Sequence, residues 1–272
     1  MTQRMQLDGR TALITGAGSG IGRAVAVSLA RRGCNLALAD VNEAGMAQTA
    51  EEIGSAVRIT RHRLDVSDPG AISEAPARVL ADHPGVDVLV NNAGVALGGG
   101  FEQVAAADFE WLFSINFWGV VRMTRAFLPI LRRSPDARLV NLSSIFGIIA
   151  PPGQTAYVAS KFAVRGFSES LRHELKDSPV GVTVVHPGGV ATSIARNARL
   201  PPGASAADME RRLKFAESKL TLSPTVAGET IVRAAERRRP RVIVGLDAKI
   251  AVAAEHFAPV SYWKLLGQRM SA

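Results

Sequence analysis

The sequence predicts an α/β fold: one parallel sheet, doubly wound, with helices on both faces. Three observations carry that expectation. Short apolar runs recur from end to end, helical patterns separate them, and the first run opens into a glycine-rich turn. Runs with nearly continuous Val, Leu and Ile read as strands buried on both faces, as in a parallel sheet. Strand–helix alternation with right-handed crossovers then winds helices onto both faces.

The first strand is expected at residues 11–15, ending in Thr15-Gly16-Ala17-Gly18-Ser19-Gly20-Ile21-Gly22, with the first helix at 20–32. A second strand at 35–40 closes on Asp40 and passes to a helix at 43–53. The third, at 57–64, passes to a helix at 69–82. The fourth strand, 86–91, precedes a long helix at 106–131, and the fifth, 138–143, a helix at 155–176. A sixth strand at 181–186, a helix at 225–238 and a seventh strand at 241–245 complete the alternation. Two stretches depart from this rhythm. Residues 193–223 follow a strand's carboxyl end, where lids over active sites occur, and contain Pro201-Pro202-Gly203-Ala204-Ser205. The tail, 247–272, continues past the last strand with Phe257, Tyr262, Trp263, Leu265 and Leu266. With no repeat and no linker, residues 1–272 are expected to form one domain.

Composition bounds the function classes. At 272 residues and 47% hydrophobic content, the chain can bury a large core and is neither disordered nor fibrous. The single cysteine, Cys34, excludes an intramolecular disulfide, fits a reducing compartment and reads as an inert core thiol. The first ten residues hold no apolar signal stretch. No run nears the ~18 apolar residues of a spanning helix, so a cytoplasmic location is expected. A net charge of +8 raises nucleic acid as a partner, but the arginines are scattered. Their densest cluster (Arg237, Arg238, Arg239, Arg241) ends a helix whose dipole it complements. No nucleic-acid partner is expected.

Chemistry concentrates at Tyr157 and Lys161. In Tyr157-Val158-Ala159-Ser160-Lys161 the phenol and the ammonium stand one helical turn apart and share a face. A free tyrosine, with a pKa of ~10, is a poor base at neutral pH, and an adjacent cation brings it toward useful range. At the other end of the chain, Gly16, Gly20 and Gly22 stand where backbone turns tightly and approaches a pyrophosphate, with a helix N-terminus offering N–H groups to that anion. Asp40 is placed to accept hydrogen bonds from adenosine ribose hydroxyls. The same carboxylate repels a 2′-phosphate by about 1–4 kcal/mol at ~4 Å, so NAD is expected over NADP. Arg23, the one cation near this turn, reads as a surface residue of the first helix.

With these residues assembled, the chain resembles the short-chain dehydrogenase/reductase family over residues 8–245. Further marks stand in order. Asp65-Val66 follows the third strand, where the family contacts adenine. Asn91-Asn92-Ala93-Gly94 follows the fourth, beside the adenine ribose. Asn116 lies in the long helix, and Ser143-Ser144 ends the fifth strand, with Ser144 at the catalytic serine position. Pro187-Gly188-Gly189-Val190-Ala191-Thr192 resembles the stretch that receives the nicotinamide and its carboxamide. The resemblance implies a Rossmann-type domain, NAD as cofactor, and hydride transfer to or from a secondary alcohol or ketone. It implies that Tyr157 exchanges the proton on the substrate oxygen and that Ser144 orients that oxygen. Lys161 would lower the tyrosine pKa and hold the nicotinamide ribose, while Asn116 would link Lys161 through water to solvent. Cofactor contact is implied for Gly16, Ser19, Gly20, Ile21, Gly22, Asp40, Asp65, Val66, Asn92, Gly94, Tyr157, Lys161, Pro187, Gly188, Val190 and Thr192. A homodimer or homotetramer is implied as well, with the helices at 106–131 and 155–176 as the contact.

The substrate is less legible. Ile145-Phe146-Gly147-Ile148-Ile149-Ala150, after Ser144, reads as a greasy pocket wall and favours a bulky apolar alcohol or ketone. Against this, the lid carries Arg196, Arg199, Arg211, Arg212, Lys214 and Lys219 among Asp208, Glu210 and Glu217. Those cations favour an acidic or acyl-thioester ketone, unless they are the solvated face of a helix. A nucleotide-sensing module without catalysis is the alternative from another class, and the intact Asn116, Ser144, Tyr157 and Lys161 speak against it. The lid is expected to order on ligand binding by docking a stripe of Met209, Leu213, Phe215 and Ala216. The tail is expected on a neighbouring subunit or the lid, with a bilayer contact through Tyr262 and Trp263 as the second reading. Glu169 and His173 lack a third ligand, so no metal site is expected. His186, beside Pro187, reads as a structural or cofactor-side residue.

Overall fold

The apolar runs form seven strands: β1 (Thr11–Thr15), β2 (Asn35–Asp40), β3 (Ile59–Arg63), β4 (Val88–Asn91), β5 (Ala137–Leu142), β6 (Val180–Pro187) and β7 (Arg241–Val244). They pair in one parallel sheet of order β3-β2-β1-β4-β5-β6-β7. This computed structural model describes residues 4–201, 210, 214 and 217–270. The crossovers run through α1 (Gly20–Ala30), α2 (Glu43–Ile53), α3 (Pro69–Asp82), α4 (Ala106–Phe113), α5 (Val120–Leu131), α6 (Thr155–Glu174) and α7 (Pro224–Glu236). Two further helices, α8 (Leu246–Phe257) and α9 (Tyr262–Met270), form the tail. Local chemistry starts several of these helices. Asn42 caps α2 by accepting from Gly45 N, Asp68 caps α3 ahead of Pro69, and Ser223 caps α7 ahead of Pro224.

Side chains alternate across each strand, and both sides are apolar. Ile14, Leu36, Leu38, Val90 and Val140 pack with Val25 and Leu29 of α1 and Ile231 of α7. Leu13, Ala37, Leu89 and Leu139 pack on the other face with Val79 of α3, Phe127 of α5 and Leu171 of α6. Burial on both faces therefore holds for the central strands. The edge strands β3 and β7 are less buried: Arg61 and Arg63 of β3 and Arg241 of β7 are exposed, and charge there blunts pairing with another chain. Cys34 is buried, and burial pushes its thiol up to about 12, which keeps it an unreactive core thiol.

The expected helix at 106–131 is interrupted. Between α4 and α5, residues Ser114–Gly119 wind as a π-helix. The π-turn carries a tertiary contact: the Asn116 amide donates to Val95 O (2.9 Å) and accepts from Val95 N (2.8 Å). Such turns recur at functional sites. The strand order reverses between β1 and β4, which opens a crevice at the strands' carboxyl ends. Gly16, Asp40, Asn92, Ser144 and Gly188 all lie at or just beyond those ends. Among the described residues no helix is long and apolar enough to cross a membrane.

Candidate active site

The glycine turn closes tightly over the start of α1. A Cβ at Gly22 would lie 2.1 Å from Gly16 O, so no side chain fits there. Gly20 takes φ +53°, in the left-handed region that favours glycine. Ser19, at the N-cap, makes no side-chain capping bond, and the first turn of α1 carries no acidic residue. Its N–H groups are thus left for an anion. Thr192 reaches this turn from beyond β6: a Cβ at Gly20 would sit 3.0 Å from Thr192 Cγ2.

Asp40, at the end of β2, accepts from Gly18 N (2.8 Å) and Asn42 N (2.9 Å), which fixes a carboxylate beside the turn. Arg23 departs from expectation. It is half-buried and braces the turn, donating to Gly18 O (2.6 Å), Thr49 Oγ1 (3.1 Å) and Gln48 Oε1 (3.0 Å). The cause is proximity of α2, whose face supplies these acceptors. Asn92 likewise serves the turn, its amide donating to Thr15 O (2.9 Å) and Gly16 O (3.1 Å). Asp65 is exposed and accepts from Ser67 N (2.8 Å), while Val66 is buried against the π-turn at Gly119.

Ser144, Tyr157, Lys161 and Asn116 converge beyond β4 and β5. Lys161 is 4% exposed, and its Nζ donates to Leu142 O (3.1 Å) and lies 5.6 Å from the Tyr157 ring centre. A Cβ at Gly94 would stand 3.2 Å from Asn116 Oδ1 and 3.4 Å from Lys161 Nζ, so the loop after β4 touches both. Asn116 is fully buried and also donates to Ser160 Oγ (3.3 Å). Ser144 caps a single 3₁₀ turn, Ile145–Gly147, by accepting from Phe146 N (3.1 Å). Phe146 meets the Tyr157 ring edge-on at 6.2 Å.

Burial adds an influence that spacing along the chain does not show. Burial pushes the Tyr157 phenol up from its ordinary value, and the neighbouring Ser144 side chain pulls it partly back. Burial pushes Lys161 down to about 8. The lysine was expected to lower the tyrosine, yet desolvation disfavours the charged form of both groups, and it is the largest influence on each. His186 is fully buried, and its Nδ1 lies 2.9 Å from Ser144 O.

Pro187, the last residue of β6, is buried; beyond it Gly189 N donates to Asp247 Oδ2 (2.7 Å) and Val190 bridges to Leu222. The start of the expected lid is docked. Arg199 N donates to Ala96 O (3.1 Å), and its guanidinium stacks 3.5 Å over Trp111 and pairs with Asp108 (3.0 Å). Arg196 pairs with Glu217 (2.5 Å) and Lys214 with Glu210 (2.7 Å). The stripe of Met209, Leu213, Phe215 and Ala216 lies outside the described residues. The apolar segment after Ser144 is largely covered by the tail: Ile145, Ile148 and Ile149 pack with Ala248, Ala251, Tyr262 and Leu266. Tyr262 accepts from Ala150 N (2.8 Å), so the tail's partner is this chain's own segment. Glu169 pairs with Arg165 (3.2 Å).

Sequence reasoning thus named the residues that meet at the crevice. It missed the π-turn, the brace at Arg23 and the two tail helices; only the apolar spacing of Tyr262 and Leu266 signalled the last.

The sequence profile of the short chain dehydrogenase family matches residues 10–202. The chain is 43% identical over 265 residues to the oxidoreductase SadH of Mycobacterium tuberculosis, a match covering 95% of this chain and 94% of that protein. A crystal structure of a short chain dehydrogenase/reductase from Burkholderia phymatum, in complex with NAD, is 33% identical with a TM-score of 0.85, covering 93% of this chain and 95% of that one. A short-chain dehydrogenase from Streptomyces avermitilis is 28% identical with a TM-score of 0.81, covering 95% of this chain and 98% of that one. Sequence, fold and the order of the crevice residues agree: the chain belongs to the short-chain dehydrogenase/reductase family of oxidoreductases.

Proposed function

We propose that this chain is an NAD-linked oxidoreductase that interconverts a bulky apolar secondary alcohol and its ketone. It would do so as one catalytic domain, in the cytoplasm, as a homodimer or homotetramer. The observation that carries the reading is the convergence of Ser144, Tyr157 and the buried Lys161 beside Gly94 and the glycine turn.

The residues present fit a dinucleotide. The uncapped start of α1 and the side-chain-free approach at Gly22 suit a pyrophosphate held by Gly16, Ser19, Gly20, Ile21 and Gly22. Asp40 would take the adenosine ribose, Asp65 and Val66 the adenine, and Asn92 and Gly94 the wall beside them. Pro187, Gly188, Val190 and Thr192 would receive the nicotinamide end. Two observations support NAD over NADP. The Asp40 carboxylate is held in place by two backbone N–H groups, and Arg23 is occupied by the turn instead of facing a phosphate.

When bound there, the nicotinamide supplies the hydride donor or acceptor. Tyr157 gives its hydroxyl proton to the substrate oxygen in reduction and takes it back in oxidation. Ser144 donates its hydroxyl to the same oxygen and stabilises charge that develops on it. Lys161, beside the phenol, favours the phenolate whenever it is protonated. Asn116 holds the Gly94 loop against Lys161, where a water link to solvent would run. Half-buried apolar side chains beside Tyr157, with Phe146 against its ring and Val95 in its cluster, support a bulky apolar substrate. Among the lid cations, Arg196, Arg199 and Lys214 each pair with a carboxylate of this chain, which favours the apolar substrate over an acidic one.

The test is a panel of secondary alcohols and ketones of graded bulk, followed by nicotinamide absorbance with NAD and NADP in turn. Turnover that rises with apolar bulk is the expected result. NAD binding with no turnover on any member would favour the nucleotide-sensing module instead.

A further inference from the structure

We infer that His186 is a positioning residue for Ser144: its imidazole holds the serine's main chain where sheet pairing ends. The inference rests on the proposed role of Ser144 beside Tyr157. In the register of β5 and β6, Leu142 pairs with Val185, and the last ladder bond runs from Ser143 N to Val185 O (2.9 Å). Ser144 lies one residue beyond. Its carbonyl accepts from two donors, Gly147 N (2.9 Å) and the His186 ring through Nδ1 (2.9 Å). The first bond closes the 3₁₀ turn. Only the second ties that turn to the sheet at this residue, replacing the absent ladder bond with a side chain.

The ring is built for one orientation. It is 0% exposed, and burial pushes it down to about 4, so it is neutral at physiological pH. Arg165 and Glu169 of α6 and Arg241 of β7 are the charged groups acting on it. A neutral imidazole has one N–H, and a carbonyl partner requires that proton on Nδ1. Nε2 is then a buried acceptor without a hydrogen-bond partner among the described residues. The Nδ1 bond fixes the carbonyl of Ser144, and through it the extended backbone (φ −163°, ψ 168°) from which the hydroxyl faces Tyr157.

The experiment reads the Tyr157 phenol directly and needs no substrate. Carbon-13 NMR of ζ-labelled tyrosine follows ionisation in a chain with only two tyrosines, and Tyr262→Phe assigns the signals. Ser144→Ala removes the influence that pulls the phenol down, so its midpoint should rise by about half a pH unit or more. His186→Leu should raise it alike, and adding His186→Leu to Ser144→Ala should add nothing, since both act on one group. Asparagine places an amide donor near the Nδ1 position, whereas glutamine places it near Nε2. His186→Asn should therefore keep the wild-type midpoint and His186→Gln should not, a comparison that stands even if His186→Leu fails to fold. An unchanged midpoint in His186→Leu, equal behaviour of the asparagine and glutamine variants, or an undiminished effect of His186→Leu in the Ser144→Ala background would each overturn the inference. Wild-type turnover in Tyr157→Phe would sink the catalytic reading and leave this titration as it stands.

Discussion

Lys161 is a buried cation that the fold holds against its own stability, and Lys161→Met measures by how much. Burial moves its pKa from 10.5 to about 8, and at ~1.36 kcal/mol per unit this is about 3 kcal/mol of penalty on the protonated native state. Below pH 8 the lysine is protonated in both folded and unfolded chains, so the wild type carries the whole penalty. Methionine fills similar volume without charge. It also leaves Leu142 O without its Nζ donor, which costs about 1–2 kcal/mol. The variant should therefore be more stable than the wild type at pH 7 by about 1–2 kcal/mol. Between pH 8 and 10.5 the native lysine is neutral while the unfolded one stays protonated. The unfolded state then binds more protons, so wild-type stability rises with pH relative to the variant. The difference should shrink and change sign near pH 9. Urea denaturation of the cofactor-free protein at pH 7, 8.5 and 10 follows it, and turnover should be lost throughout. A variant less stable at pH 7, or a difference independent of pH, would refute the reasoning.

Three further outcomes are expected. The unmodified protein should prefer NAD over NADP by at least about tenfold in kcat/KM, and Asp40→Ala should narrow that ratio mainly by admitting NADP; equal use of both by the wild type would contradict the role of Asp40. Gly22→Ala should weaken NAD binding about tenfold or more by calorimetry, because its Cβ would meet Gly16 O at 2.1 Å and force the turn open. Hydrogen exchange should show the backbone around Arg199 and Leu222 protected without ligands, where both are held by backbone bonds, and protection elsewhere in 193–223 should rise with NAD and substrate together. Closing a lid costs about 1–2 kcal/mol per residue ordered and needs contacts to offset it. Full protection in the free protein would mean a rigid wall.

What was legible in the sequence was whatever local pattern decides. The strands follow from continuous apolar runs, and the glycine turn from a strand that gives way to a helix. Tyr157 and Lys161 stood out by their spacing on a helix, whereas Asn116 and Ser144 were singled out by the resemblance to the family. What stayed hidden depends on partners distant in sequence. The apolar period runs through residues 106–131 without a break, and nothing in it announces the π-turn that carries the Asn116–Val95 pairing. Arg23 looks like any helix-surface arginine until α2 brings Thr49 and Gln48 to it. The effect of burial on Tyr157 and Lys161 was not legible because spacing gives their separation but not their surroundings. Ile145 to Ala150 looked like pocket wall because nothing local says that α8 and α9 return to cover it.

The central claim is that Tyr157 carries the proton for hydride transfer at a site whose fold and cofactor hold do not depend on its hydroxyl. Tyr157→Phe tests it most directly, since it removes one oxygen and little volume. With the best alcohol from the panel, turnover should fall by at least ~10²–10⁴, while NAD affinity and the unfolding midpoint stay near wild type. Wild-type-like turnover in Tyr157→Phe would contradict the account.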